Sequence, residues 1–339
     1  RTVPGDGPGD RRGDSGHCLE RRVINGRKIA SLLWRYREAG GIGMRMERSG
    51  RLLGAVTWML MLVSLAGCGR QQTGGAAHPA GSLLLAGSSS MEKMADALAE
   101  CFMERHPEVT VTVQFTGSSA GIEAVADGSA DIGLASRGLT EEERGRGLRG
   151  YVVALDGIAL CVDAANPVTE VTGRQLADIY TGKITNWSSF GGDDLPIVLI
   201  GREAGSGTRE AFEGLLGVSG RCTYANELDS TGAVMARIAS TPGAIGYVSF
   251  DVLKASTENA VQDAVHPLLL DGTAPDAENV RTGKYPLCRP LLMVTRGELA
   301  DQSGLARLWF CYVASQEGQD ILERVGLVTV DGSSRRTGP

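Results

Sequence analysis

Several kinds of chemistry are missing from this chain before any fold is considered. None of its 7 cysteines stands in a C-x-x-C pair, so zinc-type ligand spacing is absent. Gly182-Lys183 lacks both the upstream glycine and the following Ser or Thr of a Walker-type loop, so no nucleotide-hydrolysing loop of that kind is present. The longest apolar run, Leu52 to Ala66, is too short for a comfortable membrane span. Residues 1–67 hold 12 of the 34 Lys and Arg and 6 of the 40 Asp and Glu, which leaves 22 basic against 34 acidic residues, near −12, for the rest. A body of that charge has no basic face to neutralise nucleic-acid phosphates, and nucleic acid is excluded as a partner. No cofactor is expected. What is present suits a globular protein of one large or two medium domains: 339 residues, 42% hydrophobic and 22% charged, with 47 glycines for tight turns.

The N-terminal part reads as export machinery. Residues 1–43 are rich in Gly, Arg and Asp and resemble an upstream extension. From Met44 or Met46 a short basic stretch with Arg45, Arg48 and Arg51 leads into the apolar run, as in a signal peptide. The run ends in Leu65-Ala66-Gly67-Cys68, which resembles the lipobox of bacterial lipoproteins, with Cys68 as the lipidation site. Lipid chains anchor by burying methylenes, each at roughly 0.8 kcal/mol. Residues 1–67 are thus expected to be extension and signal peptide, and 68–80 a Gly/Ala/Gln-rich tether. Beyond Cys68 stand Cys101, Cys161, Cys222, Cys288 and Cys311, an odd number, mostly expected as buried small hydrophobes.

From Ser82 short apolar strands alternate with amphipathic helices: strand 83–86, helix 91–105, strand 109–115, helix 121–126, strand 132–135. A second stretch follows the charged segment Thr140 to Arg149, with strands at 157–162, 197–200 and 245–248 and helices at 173–180 and 208–216. A strand at 290–295 and helices at 305–315 and 319–325 close the pattern, which predicts two similar α/β lobes.

Three Ser/Gly-rich loops each follow a strand and open a helix: Gly87-Ser88-Ser89-Ser90, Gly117-Ser118-Ser119-Ala120-Gly121 and Gly205-Ser206-Gly207-Thr208. Helix N-termini carry unpaired N–H groups and partial positive charge, which suits an anion. One such loop is an ordinary helix cap. Three at strand-to-helix turns, with Arg137 and Arg202 offering planar forks nearby, point to an oxyanion site. The second loop also matches the G-x-S-x-G elbow of α/β-hydrolases, with Ser119 as nucleophile. Of the histidines after Cys68, only His266 stands in the usual order for a triad, which makes a hydrolase the weaker reading.

The stretches Ala86 to Met91, Phe115 to Ile122, Asp131 to Arg137, Ile179 to Trp187 (I-Y-T-G-K-I-T-N-W), Gly201 to Glu210 (G-R-E-A-G-S-G-T-R-E) and Pro242 to Val248 (P-G-A-I-G-Y-V) resemble the phosphate-binding lipoproteins of bacterial phosphate ABC transporters, in order along nearly the whole chain from Gly81 to Val330. That resemblance implies an α/β two-lobed periplasmic-binding-protein fold of type II with inorganic phosphate in the interlobe cleft. It implies lobe one at 81–155 and 286–330, lobe two at 156–285, and crossovers near Leu155-Asp156 and Tyr285 to Pro290. It further implies delivery to membrane permease subunits served by a separate ATPase. Carried over residue by residue, Ser89, the backbone N–H of Ser90, and Ser118 bind from lobe one, and Arg202, Ser206, Gly207 and Thr208 from lobe two, with Arg137 beside them. The sequence departs from the family at Arg137, where an Asp ordinarily accepts the proton of hydrogen phosphate. That keeps sulfate or molybdate open as the ligand. Ala204 also replaces an acidic residue, which leaves Glu203 as either its substitute or a solvated surface charge.

Overall fold

A computed structural model describes residues 79–255 and 264–329. The expected extension, signal peptide, Cys68 and most of the tether lie outside the described residues. Strand β1 (Gly81–Gly87) pairs in parallel with β2 (Val109–Phe115) and β3 (Ile132–Ala135). β2 alternates buried Val109 and Val111 with exposed Thr110 and Thr112, the period-2 signature of a strand with one face on a core. The helix Glu92–Arg105 connects β1 to β2 and buries Met94, Leu98 and Phe102, one residue per turn on a single face. The helix Ser118–Asp127 connects β2 to β3 and ends at Gly128, whose φ of 83° is a left-handed cap.

β4 (Leu148–Asp163) is a single strand of 16 residues, although only its second half reads as a strand in the sequence. A small separate ladder joins β5 (Glu170–Val171) to a later strand. β6 (Val198–Arg202), β7 (Asn226–Leu228) and β8 (Ala244–Ser249) build the second sheet; the helix Gly207–Leu216 follows β6 and the helix Thr231–Ala239 follows β7. β9 (Val265–Pro267) pairs with β4, and β10 (Leu269–Leu270) is the partner of β5. β11 (Cys288–Arg296) returns antiparallel between β3 and β4, and β12 (Val328–Thr329) adds to β4 after the helices Gly304–Ala314 and Gln316–Arg324.

The strand order is β2-β1-β3-β11-β4-β8-β6-β7. β4 pairs with β11 from Leu148 to Gly157 and with β8 from Ile158 to Val162, so one strand serves both halves. This is the expected two-lobed α/β architecture. Leu83, Leu85, Leu98, Phe102, Trp309 and Tyr312 belong to the core of the first lobe. Leu160, Ile179, Tyr180, Trp187, Phe212 and Tyr247 belong to that of the second. Side chains of this size contribute about 1.5–3 kcal/mol each on burial. No disulfide joins the cysteines of the described residues. Burial pushes the Cys161 thiol up to about 12, as expected for an inert core residue.

Candidate functional site

The three Ser/Gly loops lie at the carboxyl ends of β1, β2 and β6 and meet. The first turn is possible because Gly87 has a φ of 146° and passes so close to β3 that a Cβ there would sit 2.1 Å from the Leu134 carbonyl oxygen. Ser88 Oγ then reaches Ser90 Oγ and Ser136 Oγ, each at 2.9 Å. The second helix begins at Ser118, three residues before its expected start, with Gly117 as its N-cap. Ser118 Oγ accepts the Ser136 backbone N–H at 3.1 Å. In the third loop Ser206 caps the helix Gly207–Leu216 and accepts the Arg209 N–H at 3.4 Å.

The third loop presses on the other two across the cleft. A Cβ on Gly207 would lie 2.3 Å from Ser118 Oγ and 2.8 Å from Ser136 Oγ. The Ser119 backbone N–H donates to the Gly205 carbonyl at 3.1 Å. Arg202 Nη2 donates to Ser89 Oγ at 2.9 Å, and Arg289 Nη1 to Thr208 Oγ1 at 2.6 Å. Ser89, Ser90, Ser118, Ser206, Gly207, Thr208 and Arg202 are therefore gathered into one buried cluster.

The cluster has a definite polarity. The hydroxyls of Ser89, Ser118, Ser206 and Thr208 each accept a bond from a fixed protein N–H donor. Each hydroxyl proton is thereby available to point at a ligand, and the site presents donors. Arg202, only 1% exposed, adds a permanent positive charge. Its Nε donates to Glu203 Oε2 at 2.9 Å and its Nη2 to Glu203 Oε1 at 3.0 Å, while Nη1 reaches Thr231 Oγ1 at 3.2 Å. Glu203 thus orients the guanidinium. The Arg202 backbone N–H is satisfied by Tyr247 Oη at 3.2 Å. Burial pushes the Tyr247 phenol up, so it stays protonated.

Arg137 borders this cluster. Its Nη1 and Nη2 donate to the two carboxylate oxygens of Glu143 at 2.9 and 2.8 Å, and its Nε lies 2.7 Å from Glu210 Oε2. Burial alone pushes the Glu143 carboxyl up, but hydrogen bonds from Arg137 and the Thr140 N–H outweigh it and hold the group below the usual carboxylate range. The fork of Arg137 is therefore engaged by an ionised partner, and its Nη2 also donates to Ser119 Oγ of the second loop at 3.0 Å.

Sequence reasoning missed Ser88, Ser136, Asp156 and Arg289. Ser136 links the first two loops from the end of β3, on the other side of β1 from β2; it lies within the Asp131 to Arg137 stretch, but its link to the two loops is a contact between distant positions. Arg289 donates from Nε and Nη2 to Asp156 Oδ2 at 3.0 and 2.8 Å, and Asp156 also accepts from Ser249 Oγ at 2.8 Å. Close by, Asp251 is buried with its Oδ1 unbonded, and burial followed by repulsion from Asp156 pushes its carboxyl up to about 7.

The comparisons with known proteins agree with this geometry. A family model described as a PBP superfamily domain matches residues 73–317. The phosphate-binding protein PstS of Bacillus subtilis is 37% identical over 242 residues, covering 70% of this chain and 77% of that protein. The chain belongs to the phosphate-binding proteins of the PBP superfamily. Within this family, the phosphate-binding protein PstS of Borreliella burgdorferi is 28% identical, with 73% of this chain and 89% of that one covered. Among solved structures, a proposed phosphate ABC transporter substrate-binding protein with bound phosphate from Clostridium perfringens superposes with a TM-score of 0.67 at 36% identity, covering 74% of this chain and 100% of that one. An ABC-type phosphate transport receptor from Vibrio cholerae gives a TM-score of 0.61 at 32% identity, covering 73% and 99%. Members of this family bind and do not catalyse, and the hydrolase reading is set aside. Ser119 Oγ contacts Glu210 and Arg137, and His266 Nε2 is engaged by the Val168 carbonyl at 2.9 Å.

Proposed function

We propose that this chain is an extracytoplasmic receptor that binds inorganic phosphate between its lobes and hands it to the permease of a phosphate ABC transporter, with a separate ATPase driving import. Lipidation at Cys68 would hold it at the membrane surface through the 68–80 tether. Lobe one comprises 81–155 and 286–330, and lobe two 156–285. The observation that carries the reading is the meeting of three helix-opening loops from both lobes on a cluster of donor hydroxyls beside buried Arg202. Ser89, the Ser90 N–H, Ser118, Arg202, Ser206, Gly207 and Thr208 are the phosphate contacts, while Arg137 acts from the side through Glu210. Three or four charge-assisted bonds of roughly 1.5–3 kcal/mol each reach the roughly −8 kcal/mol of micromolar binding. A ligand that touches both lobes only when they are closed shifts the population toward closure. No bond is made or broken.

Titration calorimetry of residues 80–339 with phosphate and then sulfate, beside Arg202→Lys, tests this. Micromolar or tighter phosphate binding, weakened about 100-fold in the variant because an ammonium lacks the fork, is expected. Stronger binding of sulfate or molybdate than of phosphate would transfer the site to that oxyanion.

A further inference from the structure

Ser119 and Glu210 take no part in the proposed phosphate contacts, yet they meet across the cleft. Glu210 lies in the first turn of the helix Gly207–Leu216, which belongs to the second lobe. Both of its carboxylate oxygens are taken by the first lobe: Oε1 accepts from Ser119 Oγ at 3.0 Å, and Oε2 lies 2.7 Å from Arg137 Nε. Arg137 Nη2 donates in turn to Ser119 Oγ at 3.0 Å, which closes a ring of three side chains. The neighbouring bond from the Ser119 N–H to the Gly205 carbonyl crosses the cleft at the same place.

The members of this ring differ in what they lose on opening. The Arg137 side chain is 5% exposed and keeps both bonds to Glu143, which sits in its own lobe. The Glu210 side chain is 39% exposed, at the rim, where water can solvate it when the lobes part. Opening therefore strands no buried charge, and the contact can break and re-form.

We propose that Glu210, gripped by Arg137 and Ser119, is a latch across the cleft that favours the closed state and sets how long phosphate stays. Glu210 and Ser119 are positioning residues and touch no ligand. The proposal rests on the phosphate reading only for the identity of what is retained. A latch made after the lobes meet acts on release more than on capture.

The test uses the full chain in mild detergent, with Glu210→Gln and, should that variant fold poorly, Ser119→Ala. Radiolabelled phosphate chased with cold phosphate gives the release rate, and hydrogen exchange without phosphate reports the peptides around 117–121 and 205–210. Glu210→Gln is expected to release phosphate about ten-fold faster, the factor a charge-assisted bond of ordinary strength supplies. The association rate should stay within about two-fold, and ligand-free exchange at Ser119 should quicken. Unchanged release and unchanged exchange in a folded variant would overturn the latch. Failure of the wild-type chain to bind phosphate would instead sink the phosphate reading, and the exchange comparison would still decide the latch.

Discussion

Arg289 and Asp156 form an ion pair in which neither side chain is exposed, Arg289 on β11 and Asp156 on β4, where the two strands run side by side between the lobes. The pair also carries the site, since Arg289 Nη1 holds Thr208 Oγ1. Breaking one side leaves an unpaired buried charge. Asp156→Ala is expected to cost about 3–5 kcal/mol in urea unfolding. The double variant Asp156→Leu with Arg289→Met should cost less than either single change. Additive losses would show that the pair is not the source of the penalty.

Gly207→Ala separates closure from folding. Gly207 has an ordinary helical backbone, and the clash it avoids is with Ser118 and Ser136 of the other lobe. An added methyl is tolerated when the lobes are apart and prevents their meeting. Phosphate affinity should fall about 100-fold or more, while the ligand-free melting temperature stays within about 3 °C. A large loss of ligand-free stability would place the clash within one lobe.

Asp251 makes stability depend on pH. Its carboxyl is raised to about 7, first by burial and then by repulsion from Asp156, with Ser249, Lys93 and Arg289 acting the other way. The folded state then prefers the protonated form. Stability from this group is complete below the ordinary carboxylate range and is lost as pH rises through about 7. Asp251→Asn should therefore gain on the wild type between pH 4.5 and pH 8 by several degrees of melting temperature, at about 2–4 °C per kcal/mol. A constant difference across that range would contradict the assignment.

Tyr247 supports Arg202 from behind. Its hydroxyl accepts the Arg202 backbone N–H and reaches Tyr224 Oη at 3.3 Å. Tyr247→Phe keeps the ring, which stacks on Phe212 at 4.2 Å between centroids, and leaves a buried N–H unsatisfied. A loss of about 1–3 kcal/mol is expected in denaturant unfolding. No loss would mean that another acceptor takes the N–H.

The parts of this molecule that were legible in the sequence are those with a local signature. The helix Glu92–Arg105 shows its face every turn, and the Ser-Gly loops show themselves as breaks between strand and helix. β4 was half hidden because Arg149 and Gly150 at its start resemble a loop, and only the pairing with β11 makes them strand. Arg289 and Asp156 lie 133 positions apart, so nothing in either neighbourhood announces the pair. An Arg side chain has the same sequence signature whether it faces a ligand or a carboxylate, so the two bonds from Arg137 to Glu143 are visible only in the structure. Glu203 has the sequence signature of a solvated charge as much as of a partner, and the two bonds it accepts from Arg202 make it the partner.

The core of the first lobe is assembled from distant pieces, with Leu83 and Phe102 near one end of the described chain and Trp309 and Tyr312 near the other. A polypeptide emerging N-terminus first presents Leu83 and Phe102 long before Trp309 and Tyr312 are made, and the second core in turn lacks Val328 until nearly the last described residue. Neither core can close around its full set of side chains until the C-terminal helices and β12 have followed, so the two halves finish together.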